Sequence, residues 1–296
     1  MRKGLAELLI EKKLVSSREM AIALVMEGRV KVNGNTVKKP GTLVDSESKI
    51  EVEPEFPYVS RGGIKLENAF KELNLNVQGK VAMDVGASSG GFTDFLLKNG
   101  ARRVIAVDVG YGQFSWRLRN SPRVTLLERC NIRYLNAEKL PCLSDFTVVD
   151  VSFISIRKIF NKLVELTARG GEILLLIKPQ FELGRKEVEN KGVIKSRNLH
   201  RKVLLELVSF ISRFPVQIKH ISFSKIKGAK GNIEYWVYVI NERSENVEDK
   251  DTGKQCGSDV IDYEKTITRV VNDSHVYFSL NSRKEKCEVD EKVSGD

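Results

Sequence analysis

Two basic and two acidic side chains, far apart in the chain, stand where an open α/β sheet gathers its chemistry. Asp150 closes the apolar run from Phe146 to Val149, and Lys178 closes the run from Ile173 to Ile177. Carboxyl ends of strands in such a sheet line its ligand crevice. Glu234 lies in the late apolar stretch Asn232-Ile233-Glu234-Tyr235-Trp236, and Lys65 opens a helix ahead of the sheet. Singly, each reads as an ordinary solvated residue. Together, two amines and two carboxylates suit a reaction in which a hydroxyl must be lined up and relieved of its proton.

A ligand loop accompanies them. Met83-Asp84-Val85-Gly86-Ala87-Ser88-Ser89-Gly90-Gly91-Phe92 follows the apolar segment that begins at Val81 and leads into a helix. Glycines there let the backbone turn sharply and approach a ligand, and the new helix offers free N–H groups. The next apolar segment, Val104 to Val107, ends at Asp108, about twenty residues beyond the loop, where an acid can hold both ribose hydroxyls of a nucleoside cofactor. NAD would satisfy both features, but the loop lacks the GxGxxG spacing expected around a pyrophosphate. S-adenosylmethionine is the better match. The expected cofactor contacts are Asp84, Gly86, Ala87, Ser88, Gly90, Gly91, Phe92 and Asp108.

The elements that must position these residues follow from hydrophobic periodicity. Near-continuous apolar segments at Val81 to Val85, Val104 to Val107, Phe146 to Val149 and Ile173 to Ile177 are mostly separated by helical patterns. That alternation predicts a parallel sheet covered on both faces, a Rossmann-like α/β domain. Val216 to Phe223 and Ile233 to Ile240 have no helix between them, so they are expected to pair antiparallel at one edge.

The first fifty residues read differently. Leu5, Leu8 and Leu9 form one apolar helical face, and Met20, Ala21, Leu24 and Val25 form another after the capping-box pair Ser16 and Glu19. Val30 and Val32 alternate with basic residues, Asn33-Gly34 supplies a tight turn, and Ile50 and Val52 alternate again. Two short helices on a small β ribbon result, an α+β unit. No acid lies between Gly28 and Val44, where Arg29, Lys31, Lys38 and Lys39 gather close to Ser17 and Arg18.

The 296 residues carry a net charge of +10. Residues 61–244 hold 31 Lys and Arg against 17 Asp and Glu, an excess of 14, whereas 245–296 hold 8 against 13. A basic region of that size draws polyanions, nucleic acid foremost. No apolar run is long enough to span a bilayer and no signal segment opens the chain, so a cytoplasmic location is expected. The four cysteines form no CxxC pair, and with three histidines a metal site is not expected. The expected divisions are 1–53, a linker at 54–60 marked by Pro54 and Pro57, 61–244, and a charged, disordered tail at 245–296.

The N-terminal pattern, Ser16-Ser17-Arg18-Glu19-Met20-Ala21 followed by Gly28-Arg29-Val30-Lys31-Val32-Asn33-Gly34 and Lys39-Pro40-Gly41, resembles the S4 RNA-binding domain. With Ser60-Arg61-Gly62-Gly63-Ile64-Lys65-Leu66, the glycine-rich loop, Ala106-Val107-Asp108-Val109-Gly110-Tyr111, Glu128-Arg129-Cys130-Asn131-Ile132-Arg133, Lys178-Pro179-Gln180-Phe181-Glu182 and Lys230-Gly231-Asn232-Ile233-Glu234, residues 2–241 look like the TlyA family. The resemblance implies an S4 domain joined to an FtsJ-like methyltransferase domain. It implies 2'-O-methylation of cytidine in 16S or 23S ribosomal RNA from S-adenosylmethionine, with Lys65, Asp150, Lys178 and Glu234 matching a catalytic tetrad. Cys130 stands where the family pattern suggests threonine. Ser17, Arg18, Arg29, Lys31, Lys38, Lys39, Arg61 and Arg133 are the expected RNA contacts, and ribosomal RNA or ribosomal subunits the expected partners. Two other readings compete: a non-catalytic RNA-binding assembly factor, which an intact tetrad disfavours, and the membrane lysis suggested by the haemolysin label on some family members, for which the chain offers no exposed amphipathic or spanning segment.

Overall fold

The computed structural model describes residues 2–26, 28–52, 57–184, 192–243 and 262–293. The chain divides into two units, Met1–Pro57 and Tyr58–Asp296. In the first, β1 (Arg2–Gly4) leads into α1 (Leu5–Glu11) and α2 (Arg18–Met26), followed by β2 (Val30–Val32), β3 (Asn35–Val37), β4 (Leu43–Asp45) and β5 (Ile50–Val52). Asn33 and Gly34 both take positive φ, 49° and 79°, the geometry of the tight turn that lets β2 and β3 pair with matched twist. β2 lies between β3 and β5, and β1 pairs with β4. Leu5, Leu8, Leu9, Ala21, Leu24, Val25 and Val30 form the unit's core. The two helices and the hairpin stand where periodicity puts them. β1 and β4 are additional, each three residues long and too short to show alternation.

The second unit is built on one seven-stranded sheet. Its elements are α3 (Arg61–Leu73), β6 (Val81–Val85), α4 (Gly91–Lys98), β7 (Arg103–Val107), α5 (Trp116–Arg119), β8 (Val124–Leu127), β9 (Ser144–Val149), α6 (Phe160–Leu166), β10 (Thr167–Ile177), α7 (Pro179–Glu182), α8 (Arg197–Ile211), β11 (Val216–Phe223), β12 (Tyr235–Asn241) and α9 (Tyr263–Val293). The strand order is β11-β12-β10-β9-β6-β7-β8. β6 to β10 pair in parallel, and β12 enters antiparallel between β10 and β11. Side chains alternate between two cores. Met83, Val85, Ile105, Val149 and Leu175 share one with Phe160, Leu204, Leu207 and Val271, while Ala82, Val104, Phe146, Val148 and Leu176 share the other with Leu66, Phe92 and Phe95. Burial on both faces is why the strands read as continuous apolar runs. The Rossmann-like expectation holds, including the antiparallel edge pair. β8 is additional to it: a partly exposed edge strand whose hydrophobic signal is weak.

The tail departs from the disorder expected of it. Residues 244–261 lie outside the described residues, as do 54–56 of the expected linker, but Tyr263–Val293 is helical. Ile267, Val270, Val271 and Ser274 fall at i, i+3, i+4 and i+7 and are buried against β11 and α8. The surrounding charge masks that stripe in the composition. No helix among the described residues is long and apolar enough to cross a membrane.

Candidate active site

A cavity of about 440 Å³ opens at the carboxyl ends of β6, β7 and β9. Its floor is Gly86, which takes φ of +86°; a Cβ there would lie 2.5 Å from the Asp150 carbonyl oxygen, so only glycine lets the two chains meet this closely. Ser88 also has positive φ, 50°. Asp108 stands at the end of β7 with its carboxylate fixed by the loops around it. Oδ2 accepts from the Ser88 amide at 2.7 Å, and Oδ1 from the Gly110 amide at 2.6 Å and Gln113 Nε2 at 3.3 Å. Val107, Val109, Ile132, Val151 and Ile154 give the cavity apolar walls, and Cys130, Asn131 and Gln113 add polar ones. Apolar walls for a base beside a fixed acid for a ribose suit a nucleoside ligand.

The expected cofactor residues divide into two groups. Gly86, Ser88 and Asp108 line the cavity. Asp84, Ala87, Gly90, Gly91 and Phe92 stand behind it and shape the loop. Asp84 is fully buried and accepts from the Thr93 amide at 2.9 Å and the Thr93 hydroxyl at 2.7 Å, pinning the start of α4. Burial pushes its carboxyl up to about 7, against the lowering effect of Thr93. Ala87 packs with Phe114 and Leu118, Gly90 abuts Leu118, Gly91 abuts Ser60, and Phe92 faces Trp236. These five hold the turn in shape by packing and hydrogen bonds, and Gly86, Ser88 and Asp108 form the direct lining. Gln113, Asn131 and Cys130 are wall residues that no spacing rule singles out.

Next to the cavity, the four charged side chains form two ion pairs. Lys178 Nζ lies 2.6 Å from Asp150 Oδ1 and donates to Ser152 Oγ at 2.8 Å. Lys65 Nζ donates to Glu234 Oε2 at 2.7 Å. Glu234 is 2% exposed. Burial pushes its carboxyl up, Lys65 pulls it back, and the charges of Asp150 and Lys178 act on it as well, so both pairs share one electrostatic environment. Asp150 belongs to the tetrad and the cavity wall alike. Gly228 completes the seat of Glu234, since any side chain at 228 would collide with the Glu234 carboxylate.

The segments carrying Asp150 and Lys178 interlock. Glu182, four residues after Lys178, accepts from Ser155 Oγ at 2.6 Å and the Ile156 amide at 2.7 Å. Phe181 packs against Phe153 with ring centroids 5.0 Å apart. Phe153 has φ of 65° and is 91% exposed at the cavity rim. A large apolar side chain held out in water by a strained backbone offers a stacking surface.

The expected RNA contacts are spread over both units. Ser17 Oγ accepts from the Met20 amide at 3.1 Å and so caps α2. Arg18, Lys38 and Lys39 are exposed, and Arg29 and Lys31 are half-buried. In the second unit, Arg61 is exposed at the first position of α3, and the exposed Arg133 guanidinium lies 5.2 Å from the Tyr134 ring centre. Arg129 and Tyr111 repeat that arrangement at 4.2 Å beside the cavity.

Comparison with known proteins gives the site its context. Residues 58–240 match the model of the FtsJ-like methyltransferase family, and residues 3–50 match the S4 domain. A Bacillus subtilis protein provisionally called rRNA methyltransferase YqxC is 42% identical over 78% of this chain and 83% of its own. The 16S/23S rRNA (cytidine-2'-O)-methyltransferase TlyA of Mycobacterium tuberculosis is 37% identical over 78% of this chain and 87% of its own. A solved structure from Streptococcus thermophilus, provisionally called a hemolysin, is similar with a TM-score of 0.71 and 35% identity, covering 95% of this chain and 98% of that one.

Proposed function

The chain belongs to the FtsJ-like methyltransferase family and carries an S4 domain ahead of that fold, and from this premise we propose that it transfers a methyl group from S-adenosylmethionine to a ribose 2'-hydroxyl of cytidine in 16S or 23S ribosomal RNA. The observation that carries the reading is the Lys178–Asp150 pair at the wall of a cavity that also holds Asp108 among apolar side chains, with Lys65–Glu234 in the same electrostatic environment. When bound, S-adenosylmethionine supplies a methyl group already activated on a sulfonium. Gly86 and Ser88 would face it and Asp108 would hold its ribose.

The remaining work belongs to the chain. A ribose hydroxyl is a weak nucleophile, and orientation with proton removal is what it lacks. Lys178, fixed from two sides by Asp150 and Ser152, orients the hydroxyl and helps take its proton after giving one of its own to Asp150 or to water. Lys65, held by the buried Glu234, completes the positive wall of the crevice. Phe153 offers its exposed ring to an unstacked base, and the basic residues of the S4 unit grip phosphates of ribosomal RNA or of a ribosomal subunit.

The test is incubation of the protein with labelled S-adenosylmethionine and ribosomal RNA or subunits, followed by nuclease digestion and mass spectrometry of the nucleosides. A 2'-O-methylcytidine that appears only with active protein is the expected product. Cofactor binding with no methyl transfer to RNA or subunits would instead support a non-catalytic assembly factor.

A further inference from the structure

The sheet of the second unit has another opening, at the end opposite the cofactor cavity. Arg102, Arg103 and Arg123 surround a cleft of about 310 Å³ whose other walls are Val81, Pro122, Pro141 and Cys142. β6 runs from Val81, in this cleft, to Val85, in the cofactor cavity, and β7 runs likewise from Arg103 to Val107. At about 3.3 Å per residue the two openings lie roughly 13 Å apart along the strands.

The backbone that carries these exposed arginines is fixed, and the Arg123 guanidinium is tied down. The Arg102 amide donates to the Lys80 carbonyl at 2.8 Å, the Val104 amide to the Arg123 carbonyl at 2.9 Å, and Arg123 Nη2 to the Leu97 carbonyl at 2.6 Å. Lys80, the residue before Val81, is neutralised by Glu172. Arg102, Arg103 and Arg123 pair with no acid among the described residues, and no carboxylate lines the cleft. Asp145, behind Val81, accepts from the Val81 amide. Three like charges around one concavity repel one another, and an anion seated among them removes that cost. Planar guanidinium forks match phosphate oxygens. No aromatic ring lines the cleft, so a base has nothing to stack on.

We propose that this cleft binds the phosphodiester backbone of the RNA substrate at a point remote from the methylated nucleotide. It rests on the ribosomal RNA reading above and adds a second, sequence-independent grip on the far side of the sheet. A large folded RNA can reach both openings, so the cleft selects for substrate size and shape.

The experiment compares full-length wild type with an Arg102→Glu/Arg103→Glu variant, both residues lying outside the catalytic and cofactor-binding set. Affinity for full-length ribosomal RNA is measured across a salt series. Alkylation of the exposed Cys142 by N-ethylmaleimide is followed by peptide mass spectrometry with and without that RNA. Expected are binding weakened at least roughly tenfold, a salt slope lower by about 1 per arginine replaced, and slower Cys142 alkylation when RNA is bound. S-adenosylmethionine affinity stays unchanged in the variant and certifies its fold. Unchanged affinity and slope in the variant, with Cys142 alkylated equally fast with and without RNA, would overturn the cleft while leaving the methyltransferase reading intact. Wild type that bound no ribosomal RNA would overturn both.

Discussion

Lys178 makes two contacts at once, to Asp150 and Ser152, and both keep its amine at the cavity side of the sheet. Truncating it removes the group assigned to the hydroxyl but no atom of the cavity lining. Lys178→Ala is therefore expected to cut methyl transfer by at least about 10³-fold with cofactor affinity preserved, as read by labelled methyl incorporation beside calorimetric titration. Gly228 tests the other pair. Its backbone φ is ordinary, yet an added methyl would strike the Glu234 carboxylate and loosen its hold on Lys65. Gly228→Ala should lower kcat by roughly 10²-fold, the order expected when a catalytic group is displaced by about an ångström, with little change in cofactor binding; unchanged kcat would mean that the exact seat of Glu234 does not matter. At this scale Asp150 and Lys178 are legible in the sequence because each ends an apolar strand. Gly228 is not, since its role depends on a carboxylate folded back over it.

At the scale of elements, strands with buried apolar faces announce themselves and the docking of α9 does not. β6 and β11 begin and end where the apolar pattern does, β6 because it is buried along its length and β11 because Ile218, Ile221 and Phe223 are. The stripe of α9 is diluted by charges facing water, so composition speaks for disorder while spacing speaks for a helix. Its docking includes a polar cluster: the Tyr235 hydroxyl lies 2.9 Å from His200 Nδ1 and 3.1 Å from Ser274 Oγ, and His200 Nδ1 lies 3.0 Å from His275 Nε2. Burial, and then the neighbouring His275, push His200 down to about 4; burial, and then Arg197 and Lys227, lower His275 as well. The unfolded chain therefore binds more protons than the folded one between about pH 6.5 and 4. Stability is full above that window and declines as the pH falls through it, by up to roughly 3 kcal/mol from His200. Chemical unfolding of wild type and His200→Gln at pH 7.5 and 4.5 checks this. The variant should lose less stability on acidification, and equal losses would remove His200 from the account.

The whole molecule joins two units with separate cores; the excess of basic charge lies in the second, and the nearly neutral first unit gathers its cations at one place. In the first unit, Lys31, Lys38 and Lys39 cluster around a hairpin whose β strands are three residues long. Reversing charge at Lys38 and Lys39, both exposed, leaves the apolar core of that unit untouched. The double Glu variant should weaken ribosomal RNA binding roughly tenfold at physiological salt and lower the salt slope by about 2, with the melting temperature within a degree or two of wild type. Filter binding across a salt series measures it, and wild-type affinity and slope would show that the hairpin lysines face away from RNA. The cluster is legible in sequence because acids are missing over a run of residues. The Arg102, Arg103 and Arg123 cleft is not, because β7 and the turn before β8 bring it together.

The order of the strands has a consequence for synthesis. Among the described residues β12 is the last strand to be made, yet it sits inside the sheet, and β11 at the edge hydrogen-bonds to the sheet through it. A nascent chain that has not delivered Tyr235–Asn241 leaves the β10 side open and β11 unmoored, exposing an unpaired rim to other chains. Glu234 immediately precedes that strand, so the carboxylate that holds Lys65 arrives together with the sheet's closure. A half-translated protein can hold its early strands and loop, but it cannot assemble the full tetrad before the chain reaches Glu234.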